Sequence, residues 1–249
     1  MEGLILKPDE QIDILLNGLQ IIQNHEKFMF GIDAVLLSFF ASSQIRAKDK
    51  VIDLGTGTGI IPLLLETSST ASNFTALEVQ PESADMARRS VEINCLSEKI
   101  KVVEGDIKNV SSLFTRHSFS VVTTNPPYMI NQHGRQNNGD AKTIARHEIL
   151  CNLEDVISAA DFLLAPHGKF FMIHRPFRLP EIFESMNRHG IEPKRLQLVE
   201  PAVGKEANIV MIEGWKNAKP RLKLEPTLAV YGEPQVYSKE VQEIYNSFK

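Results

Sequence analysis

Val121-Val122-Thr123-Thr124 runs directly into Asn125-Pro126-Pro127-Tyr128, and this octet carries the residue types best suited to chemistry. Four residues of buried-strand character precede Asn125, and two prolines then stop any strand or helix. Asn125 and Tyr128 are therefore expected at the carboxyl end of a strand, the edge at which open α/β sheets bind their ligands. Proline lacks an N–H and holds the preceding residue extended, so the turn is stiff and its carbonyls are free to accept. The Asn125 amide oxygen, the Pro126 carbonyl and the Tyr128 ring would converge on a planar group carrying an NH2, with two acceptors for its hydrogens and an aromatic face beside it. The plainer reading is a Pro-Pro turn capping a strand with Tyr128 half-buried, and the residues upstream decide between the two.

Upstream, Val51 to Leu54 reads as a short apolar strand, followed by the glycine turn Gly55-Thr56-Gly57-Thr58-Gly59 and a helix from Ile60 with Pro62 in its first turn. Such a turn brings backbone close to a ligand and faces it with a helix N-terminus. The G-x-G-x-G spacing differs from the G-x-G-x-x-G of dinucleotide folds. Asp53, just before the first glycine, suits a cationic group better than a pyrophosphate. Glu78 closes a second strand, where a carboxylate can accept both hydroxyls of a ribose. Asp106 follows a third strand and could accept from an adenine amino group. With Asn125, four polar residues at four successive strand ends point to one extended ligand bearing an ammonium, a ribose and an adenine, next to a second site.

These residues need a scaffold that places strand ends side by side. Strands at Phe74 to Val79, Ile100 to Glu104 and Phe119 to Thr124 alternate with helical patterns such as Pro81 to Asn94, at intervals that demand crossovers. That is an α/β fold with a mostly parallel twisted sheet and right-handed connections. Asn152 to Leu164 and Leu179 to His189 read as helices around a strand at Gly168 to His174. Leu196 to Glu200 and Ile209 to Ile212 read as an antiparallel edge pair. Before the sheet, Ile14 to Ile22 reads as a hairpin around Asn17-Gly18, and Ala34 to Ala41 as an apolar helix capped by Asp33.

The chain has 249 residues, 43% hydrophobic and 23% charged, with a formal net charge of -4. No global basic field advertises a nucleic acid, so such a partner would have to be met by a local patch. Cys95 and Cys151 lack metal-type spacing, so no metal site is expected, and a reducing cytoplasm is the default. No leader pattern or apolar run of spanning length is present, so no membrane association is expected.

From about Asp33 to Ile212 the chain resembles the class I methyltransferases that use S-adenosyl-L-methionine, with a Rossmann-like fold, and NPPY is similar to the motif of amino-group N-methyltransferases. The resemblance implies that Asp53, Gly55 and Gly57 surround the methionine part of the cofactor, Glu78 its ribose and Asp106 its adenine. It implies that Asn125 and the Pro126 carbonyl hold the acceptor nitrogen while Tyr128 stacks on the acceptor's plane. Within the family, glutamine methyltransferases acting on release factors carry a longer helical region before the glycine motif. Guanine-N2 methyltransferases of ribosomal RNA usually have Phe at the position of Tyr128. The Phe30-Gly31-Ile32-Asp33 entry and the Ala145-Arg146-His147-Glu148 run bring the chain nearest to the bacterial tRNA adenine-N6 methyltransferases that modify adenine-37 of a valine tRNA. A non-catalytic binding module on the same fold is the reading from another class, and intact Asn125 and Tyr128 argue against it.

An RNA partner needs cations near the site. Arg135, Lys142 and Arg146 in the polar stretch after NPPY are the first candidates. His174, Arg175 and Arg178, and then Lys216, Lys219, Arg221 and Lys223, follow. His147 reads as a supporting histidine, Phe28 and Phe30 as a lip over the cofactor, and Trp215 as edge packing. The expected organisation is a hairpin and helix cap over 1–49, a methyltransferase unit over 50–215, and a basic tail with a helix over 216–249.

Overall fold

The computed structural model describes residues 6–25, 31–126 and 151–248. Pro127 and Tyr128 of the NPPY motif, Phe28, Phe30 and the polar stretch with Arg135, Lys142, Arg146 and His147 lie outside the described residues.

The first elements are a hairpin of β1 (Glu10–Ile14) and β2 (Gln20–Asn24), then α1 (Ile32–Ser42). The alternation of strands and helices follows: β3 (Lys50–Leu54), α2 (Ile60–Ser68), β4 (Asn73–Glu78), α3 (Pro81–Ile93), β5 (Ile100–Glu104), α4 (Val110–Leu113) and β6 (Phe119–Thr124). The remainder comprises α5 (Leu153–Leu163), β7 (Leu164–His174), α6 (Leu179–Arg188), β8 (Ile191–Ala202), β9 (Ile209–Lys216), β10 (Lys223–Leu224), β11 (Leu228–Glu233), β12 (Val236–Tyr237) and α7 (Lys239–Ser247).

The large sheet has the order β12-β11-β8-β9-β7-β6-β3-β4-β5, with β10 also paired to β8. Strands β7, β6, β3, β4 and β5 run parallel, while β9 lies antiparallel between β7 and β8. The chain enters at the middle with β3 and grows first toward β5. It then returns past β3 to β6, and that reversal is the switch point beside which open α/β sheets bind their ligands.

Parallel strands covered on both faces must be apolar on both, and the two cores divide the strands residue by residue. Val51, Phe74, Val121, Phe171 and Ile173 pack with α1, α2, α3 and α7. Ile52, Leu54, Leu77, Val122, Phe170 and Met172 pack with α5 and α6. The expected antiparallel pairing of the 196–200 and 209–212 segments is present, with Leu196 opposite Ile212 and Val199 opposite Ile209. It is not the sheet's edge, because β11 continues the sheet in parallel beyond β8.

Two local expectations change. Asp33 lies in the first turn of α1, whose N-cap is Gly31. The hairpin has a longer loop than an Asn-Gly turn gives, since Ile14 pairs with Gln20. Only Gly18 takes positive φ, at 80°. Asn17 instead donates to the Leu63 carbonyl at 3.0 Å and to Thr67 Oγ1 at 2.8 Å, tying the loop to α2. The hairpin also docks on α3: Ser90 Oγ accepts from the buried Ile22 N–H at 2.9 Å, and Arg89 makes a paired contact with Glu10 at 2.6 and 2.8 Å. Among the described residues no helix is long and apolar enough to cross a membrane.

Candidate active site

Each functional side chain is placed by a strand that ends where a polar residue interrupts an apolar run. Register fixes their relation: Asp53 stands opposite Ala76 on β4 and Thr123 on β6, and Glu78 stands opposite Glu104 on β5. Asn125 leaves β6 one residue after Thr124, which pairs with Leu54. Asp53, Gly55, Gly57, Glu78, Asp106 and Asn125 therefore share the carboxyl edge of four adjacent strands. Neighbouring strands lie about 4.8 Å apart, so the row spans roughly 14 Å.

The glycine turn is held onto β4. The Gly55 and Thr56 amides both donate to the Leu77 carbonyl, at 2.9 and 3.0 Å. Gly55, Gly57 and Gly59 all have positive φ, at 70°, 58° and 90°, a conformation costly for residues with a Cβ. A Cβ at Gly57 would meet nothing within 4 Å, so space lies open over the turn. Glu78, 4% exposed, takes the Gly57 amide on Oε2 at 2.8 Å and the Gln80 amide on Oε1 at 2.9 Å. Each carboxylate oxygen has a second lone pair for an external hydroxyl.

Asp53 is the electrostatic centre of the row. It is 1% exposed, and burial pushes its carboxyl up to about 7, with the nearby Glu78 charge adding to the rise and the Thr123 hydroxyl opposing it. Thr123 Oγ1 donates to Asp53 Oδ1 at 2.7 Å. The Thr56 hydroxyl opposes the rise as well, although it makes no hydrogen bond to the carboxyl. Asp53 Oδ2 and Thr56 Oγ1 are both buried without a partner, two of only four such side-chain atoms among the described residues. An unpaired buried polar atom costs about 1 to 3 kcal/mol, so this pair fits a ligand that brings a donor, best a cationic one.

Asp106 caps the 3-10 turn at Ile107–Asn109 by accepting from the Lys108 amide at 2.9 Å, and remains half-exposed. Pro126 is buried beside half-buried Asn125. The model of the methyltransferase small domain matches residues 31–186, well over half of the chain.

The chain belongs to the methyltransferase small domain family.

Relatives in sequence carry the names of methyltransferases. A protein of Porphyromonas gingivalis named tRNA1(Val) (adenine(37)-N6)-methyltransferase is 28% identical over 228 residues, covering 88% of this chain and 87% of its own. A protein of the same name from Aeromonas hydrophila is 27% identical over 183 residues, covering 73% of this chain and 74% of its own. Among solved structures, one described as a predicted O-methyltransferase of Agrobacterium tumefaciens superposes with a TM-score of 0.69 at 22% identity, over 87% of this chain and 96% of its own. The TYW2 protein of Pyrococcus horikoshii superposes with a TM-score of 0.62 at 13% identity, over 85% of this chain and 73% of its own. Both share the Rossmann-like fold.

The structure corrects part of the cation assignment around this methyltransferase site. His174, grouped above with phosphate-binding cations, is 1% exposed, and burial with Arg178 and Arg175 nearby pushes it down to about 3. It is a neutral core residue whose Nδ1 accepts the Arg175 amide at 2.8 Å. Arg178 pairs with Glu181 at 2.7 Å, and Arg175 donates to the Asn208 carbonyl at 2.9 Å. Lys216 is buried, bound to Asp161 and to the His189 carbonyl. None of these follows from local composition. Thr56 and Thr123 were missed for a related reason: what gives them a role is Asp53 on the adjoining backbone, not a motif.

Proposed function

We propose that this methyltransferase moves a methyl group from S-adenosyl-L-methionine to the exocyclic N6 of an adenine in tRNA, the adenine at position 37 of a valine tRNA. The observation that carries the reading is that Asp53 Oδ2 and Thr56 Oγ1 are buried without a hydrogen-bond partner, in the same row of strand ends as Asn125-Pro126. The shared name of the relatives supports the RNA substrate.

In this reading Asp53, Gly55 and Gly57 receive the methionine part, with Asp53 facing its ammonium. Glu78 accepts from the ribose hydroxyls and Asp106 from the adenine amino group. The bound cofactor supplies a methyl carbon on a positively charged sulfur. Asn125 Oδ1 and the Pro126 carbonyl accept the two N6 hydrogens of the target base, turning the nitrogen lone pair out of conjugation and toward that carbon. Tyr128 stacks on the base, a contact worth roughly 1 to 3 kcal/mol that offsets the cost of unstacking it from the RNA. As the N6–carbon bond forms, the carbon–sulfur bond would break to leave a neutral thioether, and one N6 proton would pass to water past the Asn125 and Pro126 oxygens, so the rest is positioning and electrostatics with no strong base required. Arg135, Lys142 and Arg146 hold flanking phosphates. In this reading residues 50–215 carry the transfer, 1–49 are a hairpin and helix cap, and 216–249 are a basic tail with a helix, in a cytoplasmic enzyme.

The test is incubation of the purified protein with methyl-labelled S-adenosyl-L-methionine and, in parallel reactions, bulk tRNA, ribosomal RNA and release factor from a strain lacking the enzyme, followed by label counting and, for the RNAs, nucleoside mass spectrometry. A new N6-methyladenosine peak is expected. Unlabelled tRNA together with labelled release factor, or with labelled guanine in ribosomal RNA, would overturn the substrate assignment.

A further inference from the structure

The tail cations Lys219 and Arg221 find their setting at the opposite, amino edge of the sheet. There Trp215, half-buried, donates its indole N–H to Glu213 at 2.6 Å. Two ammonium groups stand over its ring: Lys169 Nζ at 5.5 Å from the centroid and Lys194 Nζ at 5.7 Å. Lys194 also donates to the Lys219 carbonyl at 2.9 Å. The same segment goes on to pair with β8 at Lys223 opposite Arg195, and Arg221, two residues before that pairing, is exposed. On the other side, Lys169 and Trp215 line a cavity of about 270 Å³ shared with exposed Arg46. Two ammonium groups thus stand over one ring, Arg46 shares the cavity beside it, and the exposed Lys219 and Arg221 follow on the segment whose Lys219 carbonyl meets Lys194.

Glu213 and Asp49 offset part of this charge at Lys169, whose Nζ also donates to the Gln44 carbonyl at 2.9 Å. Glu213 is buried and engaged by Arg195 at 2.6 Å as well as by the indole, and Asp49 accepts the Arg46 amide at 2.7 Å. In a protein of net charge -4, such a concentration of positive charge is a local field suited to a polyanion. Register sets Lys169 opposite Val121, four residues below Asn125 and so roughly 13 Å down the sheet at about 3.3 Å per residue. Lys194 and the tail cations lie further across. A single nucleotide in the Asn125 site reaches none of them, whereas a structured RNA does.

We propose that the Arg46–Lys169–Lys194–Lys219–Arg221 patch around Trp215 is a second RNA contact, binding phosphates of the tRNA body outside the modified loop. This rests on the tRNA reading of the active site. Phosphate contacts of this kind carry no sequence information and set orientation and affinity.

The experiment compares wild type with the double variant Lys219→Glu/Arg221→Glu, both positions being exposed. Unmodified full-length tRNA transcript is one substrate and a hairpin cut back to the anticodon loop on a minimal stem is the other. The variant is expected to raise KM for full-length tRNA at least about five-fold, to leave kcat within two-fold, and to leave both constants for the short hairpin unchanged. Loss of two phosphate contacts flattens the dependence of log affinity on log salt by about two for full-length tRNA. An unchanged KM and salt slope on full-length tRNA, as expected if the patch serves an acidic protein instead, would overturn the proposal. Equal losses on both substrates would overturn it too. Filter binding of the same transcripts reads the patch without turnover, so a failure of the methylation assay in wild type is distinguishable from a failure of this contact.

Discussion

Replacing Asp53 with Asn tests the electrostatic logic of the site. Burial holds the Asp53 carboxyl at about 7, against an ordinary value of 3.8. At 1.36 kcal/mol per pH unit, ionising this group inside the fold costs on the order of 4 kcal/mol. Between about pH 4 and 7 the native protein keeps a proton that the unfolded chain has lost, so this group makes stability fall as pH rises through that window and flatten above it. A cationic ligand reverses the preference by favouring the ionised form, so binding below pH 7 must release a proton. Asp53→Asn keeps an acceptor for Thr123 and removes the ionisation. It is therefore expected to raise apo stability at pH 8 by up to about 4 kcal/mol and to lose the wild-type fall in stability across the window. It should also weaken binding of S-adenosylhomocysteine at pH 8 by ten-fold or more. Urea unfolding at several pH values measures the first two effects. Titration calorimetry in buffers of different ionisation enthalpy measures affinity and proton release. If wild type and variant show the same pH slope between 5 and 7, or binding at pH 6 releases no proton, Asp53 does not hold a cation in the manner argued.

Asn125→Ala should reduce the methylation rate by about 100-fold or more while leaving cofactor affinity within a few-fold; a large loss of affinity would make Asn125 a cofactor ligand instead. Glu78→Gln presents one oxygen where the Gly57 and Gln80 amides need two acceptors, so chemical denaturation should show a loss of about 1 to 3 kcal/mol, with weaker cofactor binding; unchanged stability would refute the bridging role. Arg146→Ala should weaken tRNA binding in a filter assay and flatten its salt dependence by about one. An unchanged slope would return Arg146 to ordinary surface charge.

The extent to which the chain could be read in advance follows from the range of the forces involved. Val51–Leu54, Phe74–Glu78 and Phe119–Thr124 are legible because a strand covered on both faces must be apolar along its length, and the polar residue that ends the run marks the edge where ligands bind. Asp53, Glu78, Asp106 and Asn125 could accordingly be assigned to one sheet edge from local pattern alone, and a crossover fold requires them to be neighbours. The glycine turn was legible because positive φ at three alternate positions excludes most other residues.

What the tertiary structure decided was pairing across chain distance. Thr123 finds Asp53 only because β6 returns to lie beside β3, seventy residues away in sequence. His174 looks like a surface cation in the string but ends a strand in the core, where burial neutralises it. Lys216 is spent on Asp161 and the His189 carbonyl, while Lys169 and Lys194 meet over Trp215 from separate segments. The C-terminal stretch adds β10, β11 and β12 to the sheet because β8 leaves that flank open to pairing. Hydrophobic pattern and backbone stereochemistry act within a few residues and are written in the sequence. Charge neutralisation, desolvation and strand-edge pairing depend on which distant segments meet, and the fold alone decides that.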